Sequence, residues 1–390
     1  STPSPSSAAS DVYKRQSLNL MWEYYNPVNV IFGSEKFNEI EHIISNRKYI
    51  LVTHPDDNFD TYREFFNNLS NKPLEIFDDV QPNPDYQDLI SAGEKFSKIE
   101  SQIDTVVALG GGSVMDTAKL LAAFKGENKY LNDFVRNKKS AYVQDPKKII
   151  AIPTTSGTSS ELTCWATVWD KEYKSKFSLA DKSLYPEISV IDPKLMINKP
   201  KNLTISTGLD ALSHSLESIW NVNSNPISTF HGIAGAQTVI DTLPKLVNDL
   251  KNIELRTLMA KACVHAGLAF SNTKTAIAHN ISYPITINFN VPHGIACSFT
   301  LPTIMRSLIG QDEKTEKSLE KIYNVDLIES SKRLSETLRI LEAPLNLNEI
   351  GIPKIEWDKY VEDAFQGERG KNFIGNKISF DKACSEMNFF

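Results

Sequence analysis

Between Val28 and about Asp192 short β-rich runs alternate with amphipathic stretches, and after Pro193 that alternation nearly vanishes. Few folds accept such a switch. Strand and helix in repetition need a parallel sheet covered on both faces, whereas consecutive amphipathic helices pack on one another. Residues 48–53, 74–77, 105–109, 148–152 and 188–191 read as strands, and 58–69, 85–100 and 113–124 as the helices between them. Residues 165–169 and 177–179 suit a small antiparallel excursion. Beyond Pro193 the spacing predicts helices over 206–220, 228–250, 253–269, 316–323 and 327–341. The expected architecture is an α/β N-terminal domain over 17–199 and an all-α C-terminal domain over 200–390, divided near Pro200.

Residues 1–16 are set apart. They are rich in Ser, Pro and Ala without apolar periodicity, and they lack the apolar stretch of a signal peptide. They read as a disordered tail or as a non-native segment, since Asp11 to Gln16 looks like a translated sequencing-adapter end. The native start is then expected near Met21 or upstream.

Composition narrows the function. A net charge of -6 gives no electrostatic grip on nucleic acid or an anionic membrane surface. No apolar run approaches the ~20 residues that span a bilayer. The four cysteines, Cys164, Cys263, Cys297 and Cys384, lie far apart without a CxxC pair. That spacing argues against a disulfide framework or a cysteine zinc site and fits a cytoplasmic setting.

Two chemical motifs stand out. In the first, residues 105–109 run into Gly110-Gly111-Gly112-Ser113 and then a helix. Consecutive glycines let backbone N–H groups crowd a phosphate, and the helix start behind them adds a positive dipole. Asp116 and Lys119, one turn further, are placed to reach ribose or phosphate groups. A second strand end, Pro153-Thr154-Thr155-Ser156-Gly157-Thr158, is dense in hydroxyls. A bare turn and a Ser/Thr helix cap are the plain alternatives. In the second motif, Asp210 and His214 stand four apart on one helix face, and His279 and His293 follow in Ala-His-Asn and Pro-His-Gly contexts. One carboxylate and three imidazoles suit Fe²⁺ or Zn²⁺ with room for a further ligand. His42, His231 and His265 sit in helical patterns without partners and read as structural.

Taken together, these motifs resemble the iron-containing alcohol dehydrogenase family from about Tyr25 to the C-terminus. The resemblance implies a Rossmann-like NAD(P)H-binding domain, a helical metal-binding domain and a homodimer. It carries the metal ligands onto Asp210, His214, His279 and His293, and the cofactor contacts onto Gly111, Gly112, Ser113, Asp116, Thr154, Thr155 and Thr158. The reaction implied is hydride transfer between a nicotinamide and a small aldehyde or alcohol, with the metal as Lewis acid.

Three positions depart from the family pattern. Ser159 replaces a usual glycine. His54 stands where many members carry the acid that accepts the adenosine ribose, which loosens any preference for NADH over NADPH. Tyr283 replaces a histidine thought to relay protons. Residues 273–284 and 166–170 further resemble one branch, the phosphonoacetaldehyde reductases. For a dianionic substrate the candidate cations are Lys274, five residues before His279, and Arg369 and Lys371 near the end; Tyr283 and Lys274 are the candidate catalytic residues. A general alcohol or lactaldehyde dehydrogenase is the nearest alternative, and a dehydroquinate synthase-like cyclase the more distant one.

Overall fold

A computed structural model describes residues 21–390, so the expectation for residues 1–16 lies outside the described residues. The first half is a parallel six-stranded sheet built from β1 (Asn29–Phe32), β2 (Tyr49–Val52), β3 (Ile76–Phe77), β4 (Thr105–Gly110), β5 (Lys148–Pro153) and β8 (Ile188–Ile191). The spatial order is β1-β8-β5-β4-β2-β3. Every described pairing in it is parallel, the longest being β4 with β5, from Thr105 opposite Lys148 to Gly110 opposite Pro153.

Side chains alternate across the sheet as a pleat demands. Ile50, Val52, Val106, Ala108, Ile149 and Ala151 enter one buried cluster. Tyr49, Leu51, Val107, Leu109, Ile150 and Ile152 enter another. Both faces are therefore covered, which is why these strands read as continuous apolar runs.

The chain moves outward in one direction after β2, to β3, and in the other after β4, to β5. The strand order thus reverses between β2 and β4, where open α/β sheets bind ligands at their carboxyl ends. Helix α1 (Gly112–Phe124) starts at that crevice. It packs Leu120, Ala123 and Phe124 against Ala166, Val168 and Leu179. Those residues belong to an antiparallel hairpin of β6 (Trp165–Asp170) and β7 (Ser175–Ala180).

The second half is helical. α2 (Lys201–Ile219), α3 (Pro226–Leu246), α4 (Ile253–Thr273), α5 (Ile277–Phe289) and α6 (His293–Ser298) share one large core with the later helices. The expected α/β-plus-helical architecture is the one found. Helix α5 did not declare itself in the sequence, because Pro284 lies inside it and a proline there normally ends a helix.

Candidate active site

The nucleotide side forms at the strand ends. Gly111 caps α1 without any side-chain hydrogen bond. Val114 and Met115 donate back to its carbonyl, and these are the first backbone donors of α1 paired in this way. A helix start without a side-chain cap suits an anion. Space is tight: a Cβ on Gly112 would meet Thr158 Cγ2 at 2.8 Å, and one on Gly111 would meet Thr155 Oγ1 at 3.4 Å. The glycine turn and the hydroxyl-rich loop therefore touch. Thr154 donates its N–H to Gly110 O at 2.9 Å, while its buried Oγ1 has no partner. Ser113 Oγ accepts from Asn83 N at 3.1 Å. His54 lies at the end of β2 and its Nδ1 sits 3.1 Å from Val80 O. A carbonyl only accepts, so this nitrogen carries the proton, and burial holds the ring below its usual pKa.

Lys119 needs correcting. Its side chain is fully buried, and Nζ donates to Ser160 O at 2.6 Å, Ser160 Oγ at 2.9 Å and Trp165 O at 2.8 Å. The amine fastens the loop 160–165 to α1, and these bonds occupy its donors. Burial lowers its pKa to about 8. Asp116 accepts from Ser160 Oγ at 3.2 Å, and burial raises its pKa to about 6. Ser159 occupies a left-handed conformation, φ 49°, which explains why glycine suits this position. Its Oγ donates to Cys263 O at 2.7 Å.

The metal side forms on α2. This helix buries residues 208–219 without a break, polar ones included. Ser215 and Ser218 satisfy their hydroxyls on the preceding turn, through Ala211 O and Ser215 O. Asp210 and His214 do not: Asp210 Oδ1, His214 Nδ1 and His279 Nε2 are buried without hydrogen-bond partners. Buried polar atoms left so are rare.

The histidines converge from two further helices. His279 lies in the first turn of α5, and its Nε2 is 3.4 Å from Asp210 Oδ1. His293 opens α6, with its ring centroid 5.5 Å from that of His279. His214 Nε2 is 3.8 Å from Asp210 Oδ1, and its ring stacks on Phe270 with centroids 3.9 Å apart. The sequence thus brought four real neighbours together, and the structure adds two. Glu217 accepts from His279 Nδ1 at 2.6 Å and from the N–H groups of Ala276 at 3.0 Å and Ala278 at 2.6 Å. It caps α5 from outside and holds the Nδ1 proton of His279, so that Nε2 is the nitrogen that faces Asp210. Cys297 Sγ lies 3.6 Å from His293 Nε2.

Burial and charge set the protonation states. Burial alone would raise the Asp210 carboxyl, but the surrounding imidazoles hold it below the usual range. Burial keeps His214 near 4 and His293 well below its ordinary value. Burial would also lower His279, yet Cys297, Glu217 and Asp210 outweigh it and raise that ring. Asp210 Oδ1 and His279 Nε2 face each other at 3.4 Å, both buried without a hydrogen-bond partner; a proton on the raised His279 ring makes them an ion pair, and a cation that displaces that proton meets a carboxylate oxygen and an imidazole lone pair. A divalent metal fits.

Tyr283 borders this cluster, its ring parallel to that of His293 at 5.9 Å. Two cations cover the same phenol: Lys176 Nζ at 3.9 Å and the Arg369 guanidinium carbon at 4.9 Å from the ring centre. Arg369 Nε donates to Thr275 Oγ1 at 3.0 Å, and an Nη to Ser178 Oγ at 3.2 Å. Burial would raise the phenol pKa, but Arg369 and Lys176 bring it below 10. Lys176 was not foreseen; its signal is a lysine facing Trp169 across the hairpin.

Lys274 and Lys371 need correcting. Lys274 is exposed and follows the last residue of α4 with φ 65°. The five-residue spacing to His279 assumed a continuous helix, and this turn swings the side chain to solvent. Lys371 is exposed in the turn Gly370–Asn372, and no side-chain hydrogen bond links it to the site among the described residues. His231 and His265 are not solitary either: their Nδ1 atoms lie 2.9 Å apart, joining α3 to α4.

The two sides meet through the loop after β5. A Cβ on Gly157 would strike Thr207 Cβ of α2 at 2.6 Å. The loop that touches the glycine turn at Thr155 and Thr158 therefore also abuts the helix bearing Asp210.

Comparison with known proteins agrees with this geometry. The family model for iron-containing alcohol dehydrogenase matches residues 27–193, and that for the C-terminal part of Fe-containing alcohol dehydrogenases matches residues 204–379. Alcohol dehydrogenase 4 of Saccharomyces cerevisiae is 30% identical over 87% of this chain and 91% of its own. The NAD-dependent methanol dehydrogenase of Bacillus methanolicus is 30% identical over 75% of this chain and 78% of its own. A solved sulfoacetaldehyde reductase from Bifidobacterium kashiwanohense, in complex with NAD+, is 27% identical, with a TM-score of 0.85 over 95% of this chain and 98% of that one. The chain belongs to the iron-containing alcohol dehydrogenase family, whose members use NAD(H) and iron. It is an NAD-linked oxidoreductase acting on alcohols and aldehydes.

Proposed function

We propose that the protein reduces a small aldehyde bearing an acidic group, phosphonoacetaldehyde foremost, to the primary alcohol 2-hydroxyethylphosphonate. The observation that carries this reading is Lys176 and Arg369 side by side over Tyr283, neither forming an ion pair among the described residues. Two like charges share a half-buried wall only at a cost, which an anion between them offsets. The likeness to a reductase of an aldehyde with a sulfonate group points the same way.

In this reading Gly110, Gly111, Gly112 and Ser113, with Thr154, Thr155 and Thr158, hold the dinucleotide phosphates at the start of α1. Asp116 and His54 flank it. Asp210, His214, His279 and His293 hold a divalent iron, with zinc as the alternative that the same donors accept. NADH supplies hydride, and the metal, when bound, supplies Lewis acidity toward the carbonyl. Lys176 and Arg369 take the phosphonate and thereby aim the aldehyde end at the cluster. Tyr283, its ring stacked on that of His293, provides the proton that completes the alcohol. Phe270, stacked on His214, keeps that side of the site dry.

Steady-state kinetics test the reading. Phosphonoacetaldehyde and sulfoacetaldehyde are compared with propionaldehyde, each with NADH and NADPH. Charge-assisted hydrogen bonds contribute about 1.5–3 kcal/mol, so Lys176→Met should lower kcat/KM for the acidic aldehydes by roughly 10- to 100-fold. Its effect on the uncharged aldehyde, which arises only through the Tyr283 phenol, should be several-fold smaller, and Lys274→Ala should change neither. Equal losses for charged and uncharged aldehydes would refute the anion role.

A further inference from the structure

We infer that Lys199 receives a 2′-phosphate on the adenosine ribose, so that the nucleotide site takes NADPH as well as NADH. The inference deepens the reading above and rests on the dinucleotide phosphates lying at the start of α1. In the sheet, β5 lies on one side of β4 and β2 on the other. The loop after β5 abuts the helix that bears Asp210, so the nicotinamide end runs that way. The adenosine end then runs toward β2.

At such a strand end an acid accepts the ribose hydroxyls of NADH, whereas a cation accommodates the 2′-phosphate of NADPH. His54 stands just past β2, its Nδ1 engaged with Val80 O at 3.1 Å. Its ring meets Phe59 edge-on, with centroids 5.3 Å apart. Lys199 Nζ lies over the same Phe59 ring, 5.2 Å from its centre. The ammonium therefore stands at the β2 crevice, although its backbone belongs to the segment that leads into α2.

Lys199 is pinned at its backbone and unpaired at its tip. Its N–H donates to Met196 O at 3.3 Å, and its carbonyl accepts from Arg256 Nη2 at 3.0 Å. Pro200 follows and restricts its backbone to extended forms. The rest of Arg256 is engaged, through Nε to Leu250 O at 2.8 Å and Nη1 to Thr204 Oγ1 at 3.0 Å. Arg63 is engaged as well, donating to the carbonyls of His54, Pro55 and Asp56 and pairing with Asp60. Lys199 Nζ makes neither hydrogen bond nor ion pair among the described residues. It lines a narrow cavity with Thr155 and Ser156 of the loop after β5, and Thr155 also meets Gly111.

The charge of this half-buried lysine is only partly compensated. Burial lowers its pKa, and Asp56, exposed in the turn after β2, opposes that from beyond ion-pair distance. A phenyl face is a weak partner for such an ammonium, and a phosphate a strong one.

Isothermal titration of the full-length protein with 2′,5′-ADP and 5′-AMP tests this without turnover. Reduction of propionaldehyde with NADPH and NADH tests it with turnover. The wild type should bind 2′,5′-ADP at least about 10-fold more tightly than 5′-AMP, as one charge-assisted contact provides. Lys199→Met keeps an apolar stem over Phe59 and should bring that ratio to about 1, while Lys199→Arg should keep most of it. The NADPH-to-NADH ratio of kcat/KM should fall in Lys199→Met by a similar factor. Binding of 5′-AMP with no gain from the 2′-phosphate, or a gain that survives in Lys199→Met, would overturn the role of Lys199 and leave the nucleotide reading standing. Failure to bind 2′,5′-ADP, 5′-AMP, NAD+ or NADP+ would overturn both. Should Lys199→Met fail to fold, acetylation footprinting of the wild type decides. There 2′,5′-ADP should shield Lys199 where 5′-AMP does not, and equal labelling would overturn the assignment.

Discussion

At the scale of single residues, the difference between a buried serine and a buried aspartate decides what α2 is for. Ser215 and Ser218 close their hydrogen bonds on their own helix; Asp210 Oδ1 closes none. His279→Ala should abolish metal binding and turnover while circular dichroism stays native, and turnover retained in metal-free protein would end the ligand assignment. Glu217→Gln should weaken metal binding by about 10- to 100-fold, because the group that fixes the His279 tautomer is altered. Isothermal titration with cobalt measures it, and an unchanged dissociation constant would exclude that positioning role. Asp210 and His214 were legible because four residues place two side chains on one helix face. Glu217 continues that face three residues on, but a lone glutamate carries no sign that it points inward. Lys176 stayed hidden because residues 177–179 alone read as strand, so its pairing with Trp169 was not visible.

At the scale of elements, close approach between helices sets the site's shape. A Cβ on Gly294 would sit 1.8 Å from Ser206 O. Gly294→Ala should therefore push α6 off α2, destabilising the protein by about 1–3 kcal/mol or more. Thermal unfolding should show a lower Tm, and metal affinity should fall because His293 rides on α6; an unchanged Tm would contradict this packing. The contact between α3 and α4 adds a pH dependence. Burial lowers the His231 pKa from 6.5 to about 4, and that of His265 also falls. Between those values the unfolded chain binds more protons than the folded one. Stability is thus full above about pH 6.5 and declines as pH falls toward 4. The double variant His231→Gln with His265→Gln should flatten Tm against pH across that window, and an unaltered profile would place the effect elsewhere. Strand and helix types were readable wherever composition and period agreed, as at Ile188–Ile191. Helix α5 was not, because Pro284 speaks for an ending that tertiary packing overrides.

At the scale of the molecule, one sheet and one helical body hold complementary halves of a reaction. The carboxyl ends of β4 and β5 offer N–H groups and hydroxyls, and α2, α5 and α6 offer the converging donors. Thr155, Gly157 and Thr158 lie between the halves and touch both. The passage from a parallel sheet to a helical body was legible as a change of texture, whereas the contact between them was not, since it depends on side chains remote in sequence. No helix among the described residues is long and apolar enough to cross a membrane. A cyclase built on a similar plan returns its cofactor unchanged, whereas a reductase consumes one reduced cofactor per product. The most direct measurement is therefore isotope transfer: iron-loaded protein is given NADH carrying deuterium at the transferring position, together with phosphonoacetaldehyde, and the alcohol is analysed by mass spectrometry. One deuterium per molecule of 2-hydroxyethylphosphonate, with matching NADH loss and no product from His279→Ala, is the expected result. Unlabelled alcohol, or equal turnover by the metal-free variant, would contradict reduction at the cluster joining the two halves.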